Sequence, residues 1–194
     1  MPTGRDCARR HCAGGLPGRM APRALPARFR QPRLLIVGCG DVGLRVVRQL
    51  GGRLQLRALT SQPGRADELR ALGITPLIGN LDQPSSLRRL AGLAQHVLQL
   101  APPPGQGATD PRTRALLAAL SARPLPWAAT PAPAITYAST SGVYGDAQGA
   151  RFDETRPVRP ANPRAWRRVD AEQQLRHWAL RGAGGGFGGG RGLF

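Results

Sequence analysis

The sequence contains no lysine: all 28 of its Lys+Arg residues are arginine. Any mechanism that needs a lysine amine, as nucleophile or proton carrier, is thereby excluded. Cysteine is scarce, with only Cys7, Cys12 and Cys39, an odd number too small for a disulfide scaffold. No apolar run approaches the ~18–20 residues of a membrane span. No continuous apolar stretch marks a secretory signal either. Acidic residues are few, 11 against the 28 Arg, which leaves a net charge of +17.

Glycine (26) and proline (19) are abundant for 194 residues, yet 41% of the chain is hydrophobic. Those figures suit one folded domain with irregular ends. Residues 1–33 hold eight Arg and one Asp among Pro, Gly and Ala, with no apolar periodicity. This segment reads as a disordered arm, or as sequence ahead of an internal start at Met20. Cys7, His11 and Cys12 do not have a zinc spacing, so no metal is expected. An Arg-rich arm can neutralise phosphates. It lacks aromatic interleaving and any recognisable reading module, so nucleic acid is not the expected partner. Biased coding that favours Arg, Ala, Gly and Pro accounts for the composition. At the other end, residues 182–194 contain eight Gly and cannot pack as an element. The domain reading is therefore an arm over 1–32, a folded domain over 33–181, and a glycine-rich tail over 182–194.

Between those ends, apolar runs alternate with helical spacings. Strands are expected at 33–37, 54–59, 74–78, 96–100 and 134–139, the third weakened by Pro76. Helices are expected at 42–50, 66–72 (closed by Gly73), 84–90 (with Ser85 as N-cap), 112–120 and 162–181. Strands and helices alternating in this way predict an α/β fold, a doubly wound parallel sheet of Rossmann type.

The first strand runs into Gly38-Cys39-Gly40-Asp41-Val42-Gly43, a full GxGxxG that opens a helix. In that setting Gly38 makes the tight turn, Gly40 admits the phosphates of a dinucleotide, and Gly43 lets helix pack on strand. The helix N-terminus adds free N–H groups and its positive dipole end. Cys39 fits small-residue packing. The acidic residue that grips an NAD ribose is due about 20 residues later. The second strand instead ends in Leu59-Thr60-Ser61-Gln62, with Arg65 close behind. Hydroxyls and a cation without a carboxylate tilt the expected cofactor, NADP or NAD, towards NADP.

Three further segments complete a resemblance. Gly79-Asn80-Leu81-Asp82 follows the third strand, and Leu100-Ala101-Pro102-Pro103-Pro104-Gly105 the fourth. Tyr137-Ala138-Ser139-Thr140-Ser141-Gly142-Val143-Tyr144-Gly145 follows the fifth, continued by Asp153-Glu154-Thr155. With the glycine loop, they resemble the epimerase/dehydratase-like short-chain dehydrogenase/reductase family, in its extended and atypical branches. The resemblance covers about residues 33–181. It implies adenine contacts from Asn80 and Leu81, ribose contacts from Ala101 and Pro102, and Ser139 against the cofactor. It places the catalytic hydroxyl on Thr140. The implied activity is that of an NAD(P)-binding oxidoreductase or epimerase relative, acting on nucleotide sugars or related small molecules. The resemblance also implies a homodimer built through helix bundles, and a cytoplasmic location is expected.

One departure stands out. The family's Tyr-x-x-x-Lys pair falls on Arg164 and Arg168, with Glu172 one turn further. At i and i+4 the two Arg lie on one helical face, expected to point towards the cofactor. Arginine stays protonated, so Arg164 is a poor acid–base catalyst. Arg168 can still hydrogen-bond ribose hydroxyls, and either Arg can bind an anion. The alternative function is a catalytically inactive dinucleotide-binding sensor or scaffold. Relatives continue beyond the last helix, so a C-terminally truncated chain is expected.

Overall fold

A computed structural model of the chain describes residues 31–50, 52–122 and 132–183. Most of the arm, with Cys7, His11 and Cys12, and the glycine run from 184 onward lie outside the described residues.

Five parallel strands form one sheet in the order β3-β2-β1-β4-β5. They are β1 (Arg33–Val37), β2 (Gln55–Thr60), β3 (Thr75–Ile78), β4 (His96–Gln99) and β5 (Ala134–Tyr137). The helices are α1 (Asp41–Leu50), α2 (Ala66–Ala71), α3 (Pro111–Ser121) and α4 (Pro163–Ala183). This is the expected Rossmann-type doubly wound sheet. Chain order runs outward from β1 through β2 and β3, then restarts on its other side with β4 and β5.

The apolar run of β1 is continuous because the strand is covered on both faces. Leu35 and Val37 face a core with Leu59, Val97, Leu116 and Ile135. Leu34 and Ile36 face the other core, with Val47 of α1 and Leu69 of α2. Alternate residues of one strand therefore serve two cores. Pro76 is accommodated because β3 is an edge strand, where a missing N–H leaves no inner ladder position empty.

Helix boundaries follow their caps. Asp110 caps α3, its Oδ1 accepting from the N–H groups of Arg112 (3.0 Å) and Thr113 (3.2 Å), and Pro111 takes the first turn. Asn162 Oδ1 accepts from Ala165 N at 2.9 Å, and α4 runs on to Ala183, past the expected end. Gly73, with φ +75°, closes α2 as expected, its N–H donating to Arg70 O. The segment Pro84–Leu90 departs from expectation. It is a 3₁₀ helix, and Ser85 is not its cap: Gln83 holds that position without a side-chain bond. The neighbouring Ser86 anchors the segment. Its Oγ donates to Gln83 O at 2.7 Å and accepts from Asn80 N at 2.9 Å, which ties the 3₁₀ helix to the loop after β3.

One core residue breaks the apolar rule. Gln99 lies in β4 between Val37 of β1 and Tyr137 of β5 and is fully buried. Neither its Nε2 nor its Oε1 reaches a protein partner. Gln99→Met keeps the length and removes the unpaired amide. It is expected to raise the unfolding free energy by about 1 kcal/mol in a denaturant titration. A loss of that size would show that solvent inside the fold holds the amide.

Candidate functional site

The sheet order reverses between β1 and β4, and the loops leaving these two strands meet there. Leu100 N and Ala101 N both donate to Val37 O, at 2.8 and 2.9 Å. Ala101 then sits directly against Gly38. A Cβ on Gly38 would lie 2.6 Å from Ala101 N, and its φ of +85° already favours glycine. Gly40 differs in kind: a Cβ there would meet nothing within 4 Å. Its missing side chain leaves open space beside the loop. Gly43 is buried, and a Cβ would come within 3.3–3.4 Å of Cys39 Sγ, Ile36 Cγ2 and Leu100 Cδ1. It lets α1 pack on the sheet. Cys39 is buried in that contact, and burial pushes its thiol pKa up.

A cleft of about 320 Å³ opens at this reversal. Gly38, Cys39 and Gly40 line one side; Thr60 and Ser61 stand at the end of β2. Asn80 and Leu81, then Ala101 and Pro102, complete the walls. Asp41, Val42 and Gly43 form the first turn of α1 and do not line the cleft. Asp41 pairs with Arg45 at 3.0 Å. Thr60 is buried and its Oγ1 accepts from Gln62 N at 3.1 Å, whereas Ser61 is exposed. Asn80 Oδ1 accepts from Asp82 N at 3.0 Å, which orders the loop after β3.

Two arginines also line the cleft. Arg65, noted in the sequence, donates from Nη1 to Cys39 O at 2.9 Å and from Nε and Nη2 to Glu68 at 3.0 and 3.1 Å. Arg112 was not foreseen. It donates to both carboxylate oxygens of Asp82 at 2.7 Å and to Pro102 O at 3.1 Å. One side chain thus braces the loop after β3 against the loop after β4. The guanidinium holds the Asp82 carboxyl below the usual carboxylate range. Nothing in the sequence announced this pairing, because the two residues lie thirty positions apart.

The end of β5 carries the other expected residues. Thr140 is exposed, and its Oγ1 accepts from Gly142 N at 3.4 Å, starting the 3₁₀ turn Ser141–Tyr144. Ser139 Oγ donates to Glu172 of α4, a carboxylate that is itself buried. Arg168 is buried, and its Nη1 donates to Tyr137 Oη at 3.0 Å and Ala138 O at 2.6 Å. Arg164 is exposed. The two arginines, one turn apart on α4, thus differ in burial, with only Arg168 bonded to the strand end. Ser139, Thr140 and Arg168 do not line the cleft. Tyr144 packs on Phe152, ring centroids 5.0 Å apart, and Arg156 stacks on the same Phe152 ring.

No protein-family model matches the chain, and no curated protein does. Solved structures match over most of its length. UDP-glucose 4-epimerase of Thermus thermophilus, in complex with NAD, aligns with a TM-score of 0.62 at 23% identity. A short-chain dehydrogenase/reductase superfamily protein of Agrobacterium tumefaciens with bound NAD gives 0.58 at 23%. A functionally unknown conserved protein of Silicibacter pomeroyi gives 0.57 at 29%. The alignments cover 78%, 75% and 76% of this chain and 52%, 44% and 50% of those chains. The chain thus spans about half the length of the structures it matches. Its fold is that of the epimerases and short-chain dehydrogenase/reductases, as the sequence resemblance implied. Among the described residues, no helix is long and apolar enough to cross a membrane.

The two loop glycines, Gly38 and Gly40, have separable roles. Gly38→Ala is expected to destabilise the fold by about 2–4 kcal/mol, through the clash with Ala101 and the positive φ. Gly40→Ala should melt as the wild type does, yet lose any ligand whose phosphates rest on the loop. Equal melting losses in both variants would refute that separation.

Proposed function

We propose that the cleft binds a nicotinamide dinucleotide and that the chain is an oxidoreductase- or epimerase-like protein acting on small molecules such as nucleotide sugars. The observation that carries this reading is the pair of glycines at the sheet reversal. Gly38 closes the loop against Ala101, while Gly40 keeps open the space that a pyrophosphate needs. The donor set fits the rest of such a ligand. Gly38, Cys39 and Gly40 face the pyrophosphate, with Asp41, Val42 and Gly43 contributing the N-terminal start of α1 behind them. Thr60 and Ser61 take the adenosine ribose, Asn80 and Leu81 the adenine, Ala101 and Pro102 the second ribose, with Ser139 beyond them. NADP is preferred over NAD, because no carboxylate stands at the end of β2 and Arg65 does.

The dinucleotide, when bound, supplies or accepts a hydride. Thr140 offers its exposed hydroxyl to the substrate oxygen whose bond order changes. Arg168 belongs to the same centre by fixing Tyr137 and Ala138, the two residues that lead into Ser139 and Thr140. A homodimer through helix faces is part of the proposal, since α4 leaves Trp166 and Leu180 at 55% and 73% exposure. So is a cytoplasmic location; nucleic acid is not among the proposed partners.

A second reading has its own support. Arg164 cannot act as an acid–base group, and Arg168 is committed to the strand end. A dinucleotide-binding sensor or scaffold without turnover fits both facts. Thermal denaturation with NADPH and NADH tests the shared claim. At a hundredfold excess over Kd, a bound dinucleotide stabilises by about 2.7 kcal/mol, and no shift with either removes both readings. Turnover on a panel of sugar nucleotides, abolished by Thr140→Ala with dinucleotide binding retained, selects the enzyme.

A further inference from the structure

Arg65 is the cation the cleft offers near the end of β2, but its fork is already occupied. Glu68 accepts from Nε and Nη2 through both of its oxygens, at 3.0 and 3.1 Å. That is the bidentate geometry in which a guanidinium also takes phosphate. The third bond, from Nη1 to Cys39 O at 2.9 Å, ties Arg65 to the glycine loop independently of Glu68. Arg65 therefore keeps its place when the carboxylate leaves. Glu68 stands three residues along, in the first turn of α2, with half of its side-chain surface exposed. It can swing into water without disturbing the core.

We propose that Glu68 is a specificity-determining residue that competes with a ribose 2′-phosphate for the Arg65 guanidinium. The proposal rests on the dinucleotide reading above. A 2′-phosphate reaches Arg65 only by displacing Glu68, and the displaced carboxylate then stands close to a dianion. A free 2′-hydroxyl meets neither obstacle. Arg65 thus favours NADP while Glu68 offsets part of that advantage, leaving a cleft with a shallow preference. The mutual stabilisation of the pair agrees with this competition: the Glu68 carboxyl is held below the usual carboxylate range by Arg65, whose own pKa is raised.

Calorimetric titration of NADPH and NADH into the full chain tests it, at one fixed ionic strength because such pairs are screened by salt. The proteins are the wild type, Glu68→Ala, Arg65→Gln and the double variant. Glu68→Ala is expected to tighten NADPH by about tenfold and to change NADH by less than about twofold. In the Arg65→Gln background the same substitution should bring much less gain, since the competed group is gone. An unchanged NADPH-to-NADH ratio in Glu68→Ala overturns the role of Glu68 and leaves the dinucleotide reading intact. So does an equal gain with and without Arg65. Binding of neither dinucleotide to the wild type or to Glu68→Ala overturns the dinucleotide reading and this inference together.

Discussion

The geometry of the cleft depends on one close approach, that of Ala101 to Gly38. The carbonyl of Val37 accepts two successive N–H groups, those of Leu100 and Ala101, and so draws the loop after β4 across the end of β1. Only a residue without Cβ can receive it there. Everything nearby inherits its position from that closure. The loop turns sharply enough to start α1 at Asp41, and Gly43 brings the helix down onto Ile36 and Leu100. Arg112 then holds the outer ends of two loops together through Asp82 and Pro102.

Much of this was legible in the sequence, and the reason is local. Four of the five strands announced themselves as short apolar or alternating segments because each carries buried residues, whereas β3 at the edge has none. The glycine spacing states a backbone requirement that no other residue meets. Element ends were less legible, since they depend on which polar side chain reaches which backbone group. Asp110 extends α3 by capping it, while Ser86, rather than Ser85, anchors the segment after β3. Pairings across the fold were not legible at all. Asp82 and Arg112 lie thirty residues apart, and no spacing rule connects them.

The end of β5 shows a third case, in which the pattern was right but the side chain went elsewhere. Helical geometry puts positions 164 and 168 on one face, yet burial separates them. Tyr137 Oη and Ala138 O lie within reach of Arg168, and Ser139 Oγ within reach of Glu172. Two residues one turn apart on α4 thereby grip Tyr137, the last residue of β5, and the two residues that follow it. An arginine, with its long stem and several donors, can satisfy such a strand end from inside the fold. With arginine at this position, α4 secures the strand end that leads into Ser139 and Thr140.

The sheet has two outer strands, and they are protected unequally. Pro76 removes a donor from β3, which blunts that edge against pairing with another chain. β5, whose residues run Ala-Ile-Thr-Tyr, contains neither proline nor charge. Among the described residues, the edge left without such protection is the one that leads into Thr140.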